Sequence, residues 1–137
     1  MIKLNGKAIE LKHFPDGTFL IKEKPSRDQA FLSWKFEHND ELVALIYITQ
    51  HLRAHGVRYV ELYMPYIPNA RQDRVKSDED VFTLKYFAWV INSLGFDKVR
   101  VLDPHSSVAE ALIDRIEVLT PAMFVDTTIR SIYQGYE

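Results

Sequence analysis

Alternating apolar and polar positions mark the first third of the chain, and a helical rhythm sets in after it. Ile2 to Leu11 leans toward β structure with Asn5-Gly6 as a turn signal, and Phe14-Pro15-Asp16-Gly17-Thr18 supplies a second turn, predicting two hairpin-like strands. Phe19 to Glu23 and Gln29 to Phe36 read as extended. In the second of these, Phe31, Ser33 and Lys35 alternate with Leu32, Trp34 and Phe36.

A helix is predicted from Asn39, expected to cap it, through an acidic first turn (Asp40, Glu41) and a stripe of Leu42, Leu45, Ile46, Ile48 and Leu52, to a stop at Gly56. Tyr59 to Met64 is mostly apolar, as in a strand of a sheet covered on both faces. Phe82, Tyr86, Phe87, Val90, Ile91 and Leu94 predict a second helix ended by Gly95, and Lys98 to Leu102 the next strand. The crossover is long enough for a parallel pair. Ser107 and Glu110 form the spacing of a capping box over Val108 to Ile113, and Ile116 to Leu119 is a last short strand. Thr120 and Pro121 open a final helix to about Ile132.

This order of elements predicts one α/β domain over residues 1–137. Its expected form is a three-layer sandwich: a mainly parallel sheet, helices on both faces, and an N-terminal β-hairpin region. A composition of 47% hydrophobic and 26% charged residues is enough for a proper core. The formal charge of −2 provides no basic field for nucleic acid or an acidic membrane, so neither partner is expected and any anion site must be local. With no cysteine, disulfides and thiolate metal sites are excluded, which suits a cytoplasmic protein. Nothing begins like a signal peptide, and no run approaches the ~18 apolar residues of a membrane-spanning helix.

Local anion chemistry is offered by Met64 to Arg74, a loop after an apolar strand that holds Arg71-Gln72-Asp73-Arg74. Two guanidinium forks match phosphate oxygens, Gln72 can donate and accept, and Pro65 and Pro68 stiffen the entry. A surface ion pair between Asp73 and its arginines is the competing reading. A second loop, Asp103-Pro104-His105-Ser106, follows the next parallel strand and is expected on the same edge, where α/β sheets gather their ligands. Asp103 can bind a magnesium ion directly or through water, and His105 can donate to phosphate, or the two can be a loop cap and a satisfied imidazole. His51 and His55, four apart on the first helix, read as a helix-end cation rather than a metal pair.

Met64 to Arg74, Thr83-x-Lys85 and Leu102 to Ser106 together resemble the N-terminal domain of ribose-phosphate pyrophosphokinase (PRPP synthetase), of the phosphoribosyltransferase-like superfamily. That family reads Pro-Tyr-x-x-x-Ala-Arg-Gln-Asp-Arg, then Ser/Thr-Ala-Lys, then Asp-Leu-His-Ala or Ser. Phe14 to Thr18 is similar to its Phe-Ser-Asp-Gly-Glu, and Asn39-Asp40-x-Leu42 to its Asn-Asp-x-Leu helix start. The resemblance implies that Arg71, Gln72 and Asp73 bind ATP, that His105 and Asp103 lie at the Mg²⁺-triphosphate side, and that Phe14 and Asp16 serve an adenine pocket completed by a neighbouring subunit. A homo-oligomer is thereby implied.

Several positions depart from the family. Thr18 replaces a glutamate, Pro68-Asn69 replaces Gly-Tyr, Pro104 replaces leucine, and Val75 to Val81 is acidic where the family is basic. The family's second domain, with its ribose 5-phosphate loop, has no counterpart in the sequence. The expectation is therefore the ATP-binding half of a ribose-phosphate diphosphokinase that does not turn over alone. The alternatives are a non-catalytic protein associated with that enzyme, and a metal-dependent hydrolase using Asp103 and His105.

Overall fold

The computed structural model describes residues 1–25, 28–102, 104 and 106–120. β1 (Ile2–Leu4) and β2 (Lys7–Ala8) form an antiparallel hairpin. At its tip Asn5 and Gly6 both have positive φ, 49° and 85°, as a two-residue turn of this hand requires. β3 (Lys12–His13) and β4 (Phe19–Leu20) pair as a separate two-stranded ribbon. The main run follows as β5 (Gln29–Trp34), α1 (Asp40–Ala54), β6 (Tyr59–Met64), α2 (Thr83–Ser93), β7 (Lys98–Leu102), α3 (Ser107–Leu112) and β8 (Ile116–Leu119). The helix expected from Pro121 lies outside the described residues.

The six-stranded sheet has the order β2-β1-β5-β6-β7-β8, with β5 to β8 mutually parallel and β1 antiparallel to both its neighbours. Spatial order follows chain order from β5 onward. Right-handed crossovers that all step in one direction place their helices over one face. The packing agrees: Leu52 of α1 shares a cavity wall with Leu4 and Ala30, and Phe87 of α2 lies 6.1 Å from Trp34, ring to ring. That face buries Ala30, Leu32, Trp34, Val60, Leu62, Met64, Val99 and Val101. Each larger apolar side chain so buried contributes about 1.5–3 kcal/mol.

The opposite face is partly open among the described residues. Register sets Ser33, Tyr63, Arg100 and Glu117 in one row across it, and Phe31, Glu61 and Lys98 in the next. A parallel strand expected to be apolar on both sides thus carries a carboxylate, Glu61, only 8% exposed. The Tyr59 hydroxyl donates to it at 2.6 Å and Arg100 stands 3.8 Å away. These partners offset the penalty of burying the charge.

The start of α1 differs from expectation. Asn39 has helical dihedrals (φ −61°, ψ −30°) and makes no side-chain cap, so it does not play the role its residue type suggests. Glu41 instead ties down the segment that leads into the helix: its Oε1 accepts the backbone N–H groups of Glu37 at 2.6 Å and His38 at 2.9 Å, and its Oε2 pairs with the Met1 ammonium. Burial alone pushes this carboxyl up, but the hydrogen bonds from the ammonium, His38 and Glu37 outweigh it and hold the group below its ordinary value. A depressed folded-state pKa adds stability above the unfolded value that is lost as pH falls through the folded one. Glu41→Gln is therefore expected to lose about 1–3 kcal/mol at neutral pH and to show a weaker loss of stability on acidification below pH 4.5 than the parent. Urea melts at several pH values read both effects.

Arg53 fastens the amino edge of the sheet. Its guanidinium donates to the carbonyls of Arg58 and Gly95, each at 2.7 Å, and to Asp97 at 3.2 Å. His51 Nε2 and His55 Nδ1 meet the carbonyls of Glu23 and His51 at 2.7 and 2.9 Å, so each imidazole has a backbone partner. Among the described residues no helix is long and apolar enough to cross a membrane.

Candidate functional site

Three parallel strands, β5, β6 and β7, end on the same edge, and the connections that leave them touch. Phe36, beyond β5, packs its ring 6.4 Å from that of Tyr66, beyond β6. The Leu102 N–H at the end of β7 donates to the Pro65 carbonyl at 3.3 Å. Ser106, before α3, donates its hydroxyl to Asp73 Oδ2 at 2.9 Å. Loops that sequence alone could only place on one edge are thus joined there.

Local geometry explains the arginine loop. Ile67 is buried, Ala70 N–H returns to its carbonyl at 3.3 Å, and Gln72 N–H returns to the Asn69 carbonyl at 2.9 Å. This tight turn needs Asn69 at φ 67°, a left-handed conformation that asparagine tolerates better than most residues. Pro68-Asn69, a departure from the family wording, is therefore a working turn.

Arg71, Gln72 and Arg74 are exposed, and Asp73 is half-buried. None of the ion pairs within 4.0 Å among the described residues includes Arg71 or Arg74. Among the described residues Asp73 thus turns to Ser106 rather than to the arginines beside it. The following acidic stretch is self-contained, with Lys76 N–H on Asp80 Oδ2 at 3.0 Å and Glu79 N–H on Ser77 Oγ at 3.3 Å.

The short helix after β7 starts one residue earlier than the capping-box spacing suggests. Ser106, extended at φ −132° and ψ 118°, is the cap, its Oγ accepting from Ala109 N–H at 3.2 Å. Ser107 is the first helical residue, so Glu110 falls one position too far on to close the box. Ser106 was missed as a site residue because two adjacent serines cannot be told apart as caps until the backbone direction is known. Asp103 and His105, the expected metal-side pair, lie outside the described residues.

Phe14 and Asp16 sit on the β3–β4 ribbon, which leans on α1 through Phe19 and Tyr47, 6.0 Å ring to ring, and His13 and Asp40 at 3.3 Å. Phe14 is 46% exposed. Asp16 Oδ1 accepts both the hydroxyl and the N–H of Thr18, at 2.6 and 3.0 Å, and these bonds hold its carboxyl below the ordinary range. Thr18, standing where the family has glutamate, thus fixes the carboxylate that the resemblance assigns to the base. Among the described residues no hydrogen bond, ion pair or ring contact joins this ribbon to Arg71–Arg74.

Comparison with known proteins places this edge in a family. A family model described as the N-terminal domain of ribose phosphate pyrophosphokinase matches residues 2–95. The ribose-phosphate pyrophosphokinase of Bradyrhizobium diazoefficiens is 33% identical over 96 residues, covering 69% of this chain and 30% of that protein. That of Pyrococcus furiosus is 28% identical over 119 residues, covering 83% and 42%. The crystal structure of phosphoribosylpyrophosphate synthetase from Mycobacterium smegmatis shares the fold with a TM-score of 0.71 at 17% identity, over 92% of this chain and 44% of that one. The chain spans less than half the length of these relatives. It belongs to the family of N-terminal domains of ribose phosphate pyrophosphokinase.

Proposed function

We propose that the chain is the ATP-binding half of a ribose-phosphate diphosphokinase, the whole enzyme making PRPP and AMP from ATP and ribose 5-phosphate. The observation that carries this reading is the pair Arg71 and Arg74, exposed and without a carboxylate partner among the described residues, on a loop tied into the carboxyl edge of a parallel sheet. Two guanidinium forks match polyphosphate oxygens in charge and geometry, and Gln72 between them can donate and accept. In the reaction the C1 oxygen of the sugar bonds to the β-phosphorus, the link from that phosphorus to AMP breaks, and the hydroxyl proton is released. The role of Arg71, Gln72 and Arg74 is to hold the polyphosphate and offset its charge.

Magnesium would arrive with the triphosphate and supply further charge neutralisation there. It favours phosphate oxygens and water with one or two carboxylates, so it requires no dedicated cage. Asp103 and His105, next in sequence to Leu102 and Ser106, are the residues that would hold it.

That no hydrogen bond, ion pair or ring contact joins the Phe14–Asp16 ribbon to the arginine loop among the described residues suits a homo-oligomer in which one copy brings the base-binding residues to the phosphate-binding loop of another. The same reading places the protein in the cytoplasm with no nucleic-acid or membrane partner.

Calorimetric titration of the chain with Mg·ATP is expected to give saturable binding, weakened by EDTA, and a coupled assay is expected to detect no PRPP from the chain alone. No binding by a well-folded, assembled protein would favour a non-catalytic associated role. PRPP formation by the chain alone would rule out the half-enzyme.

A further inference from the structure

Asp73 is the one member of Arg71-Gln72-Asp73-Arg74 that is not fully exposed, and its carboxylate is engaged. Ser106, 4% exposed, uses its single hydroxyl in both senses: the oxygen accepts from Ala109 N–H at 3.2 Å, and the hydrogen goes to Asp73 Oδ2 at 2.9 Å. The anchor is rigid. Asn92 of α2 donates to the Leu112 carbonyl at 2.9 Å and accepts from Asp114 N–H at 2.8 Å, so α3 is bolted to its neighbour at its far end.

We infer that Asp73 and Ser106 form a latch that holds the arginine loop in its anion-binding shape, with Ser106 a positioning residue and Asp73 acting through it rather than on the nucleotide. This rests on the polyphosphate reading of Arg71 and Arg74. The connection from Pro65 to Phe82 has no helix or strand of its own. Ordering such a stretch at the moment of binding opposes affinity, and a tether present beforehand removes part of that opposition. The latch also fixes where the carboxylate points: bonded to Ser106, Asp73 forms no ion pair with Arg71 or Arg74 among the described residues.

The test is a double-mutant cycle on the full chain with Ser106→Ala, Asp73→Ala and the pair, beside the conservative Ser106→Thr and Asp73→Asn. Each variant is titrated with Mg·ATP, melted without nucleotide, and followed by amide exchange across residues 65–82. Each alanine variant is expected to weaken Mg·ATP roughly 5- to 20-fold, the pair no more than either alone, and to lose protection in the loop. Ser106→Thr keeps the hydroxyl and Asp73→Asn keeps an acceptor, so both are expected near the parent. Additive losses, or an Asp73→Asn loss equal to that of Asp73→Ala, would overturn the latch and return Asp73 to direct contact. If the parent itself fails to bind Mg·ATP the functional reading falls, while coupling in the melts and exchange in the loop still decide whether the latch exists.

Discussion

Replacing Trp34 by alanine is expected to remove about 3–5 kcal/mol from the unfolding free energy, the largest single loss available in this sheet. Trp34 is 0% exposed and lies between Phe36 and Phe87, at 5.8 and 6.1 Å ring to ring, where β5 meets α2. Its removal opens a cavity that neighbours on two elements cannot both collapse to fill. Trp34→Phe is expected to lose far less, about 1 kcal/mol, because its indole Nε1 has no hydrogen-bond partner among the described residues and chiefly volume is given up. Urea melts read both. The second tryptophan, Trp89, is 70% exposed, so emission from the Trp34→Phe protein is expected to be that of a solvated indole. Equal losses for the alanine and phenylalanine variants would mean that the site tolerates no relaxation at all.

Arg71→Ala is expected to weaken Mg·ATP by about 10- to 100-fold without moving the melting temperature. A charge-assisted hydrogen bond to phosphate contributes roughly 1.5–3 kcal/mol, and Arg71 has no ion pair among the described residues whose loss could unfold the protein. Arg71→Lys keeps the charge but not the fork and is expected to fall between the two. Calorimetry at two salt concentrations separates the outcomes, since contacts to an exposed polyanion weaken as salt rises. An unchanged Kd for Arg71→Ala would detach the loop from nucleotide binding.

Periodicity and turn chemistry revealed the frame of this molecule. The alternation around Leu32 and Trp34, the stripe of Leu45, Ile48 and Leu52, and the stops at Gly56 and Gly95, with φ of 84° and 64°, all act within a few residues of themselves. Wherever a partner comes from afar, the sequence was silent. Asn39 has the right side chain for a cap yet makes none, while Glu41 anchors the helix entry by pairing with the amine of Met1, 40 residues away. Asp73 looked like the partner of the arginines beside it, and its actual partner lies 33 residues on. The arginine loop and the edge it occupies were legible from the motif and the strand before it. The latch was not, because which of two neighbouring serines turns inward is decided by the backbone of α3.

A sheet whose strands lie side by side in the order of synthesis can lengthen one unit at a time. As β6, β7 and β8 emerge, each finds its neighbour already in place, so little chain must be searched for a partner. The exception is β1, made first, which waits for β5 and joins it antiparallel with Ile2 opposite Trp34. Closing that longer loop adds only a slowly growing entropic term. Assembly of this sheet therefore hinges on one early closure, after which growth toward β8 is local.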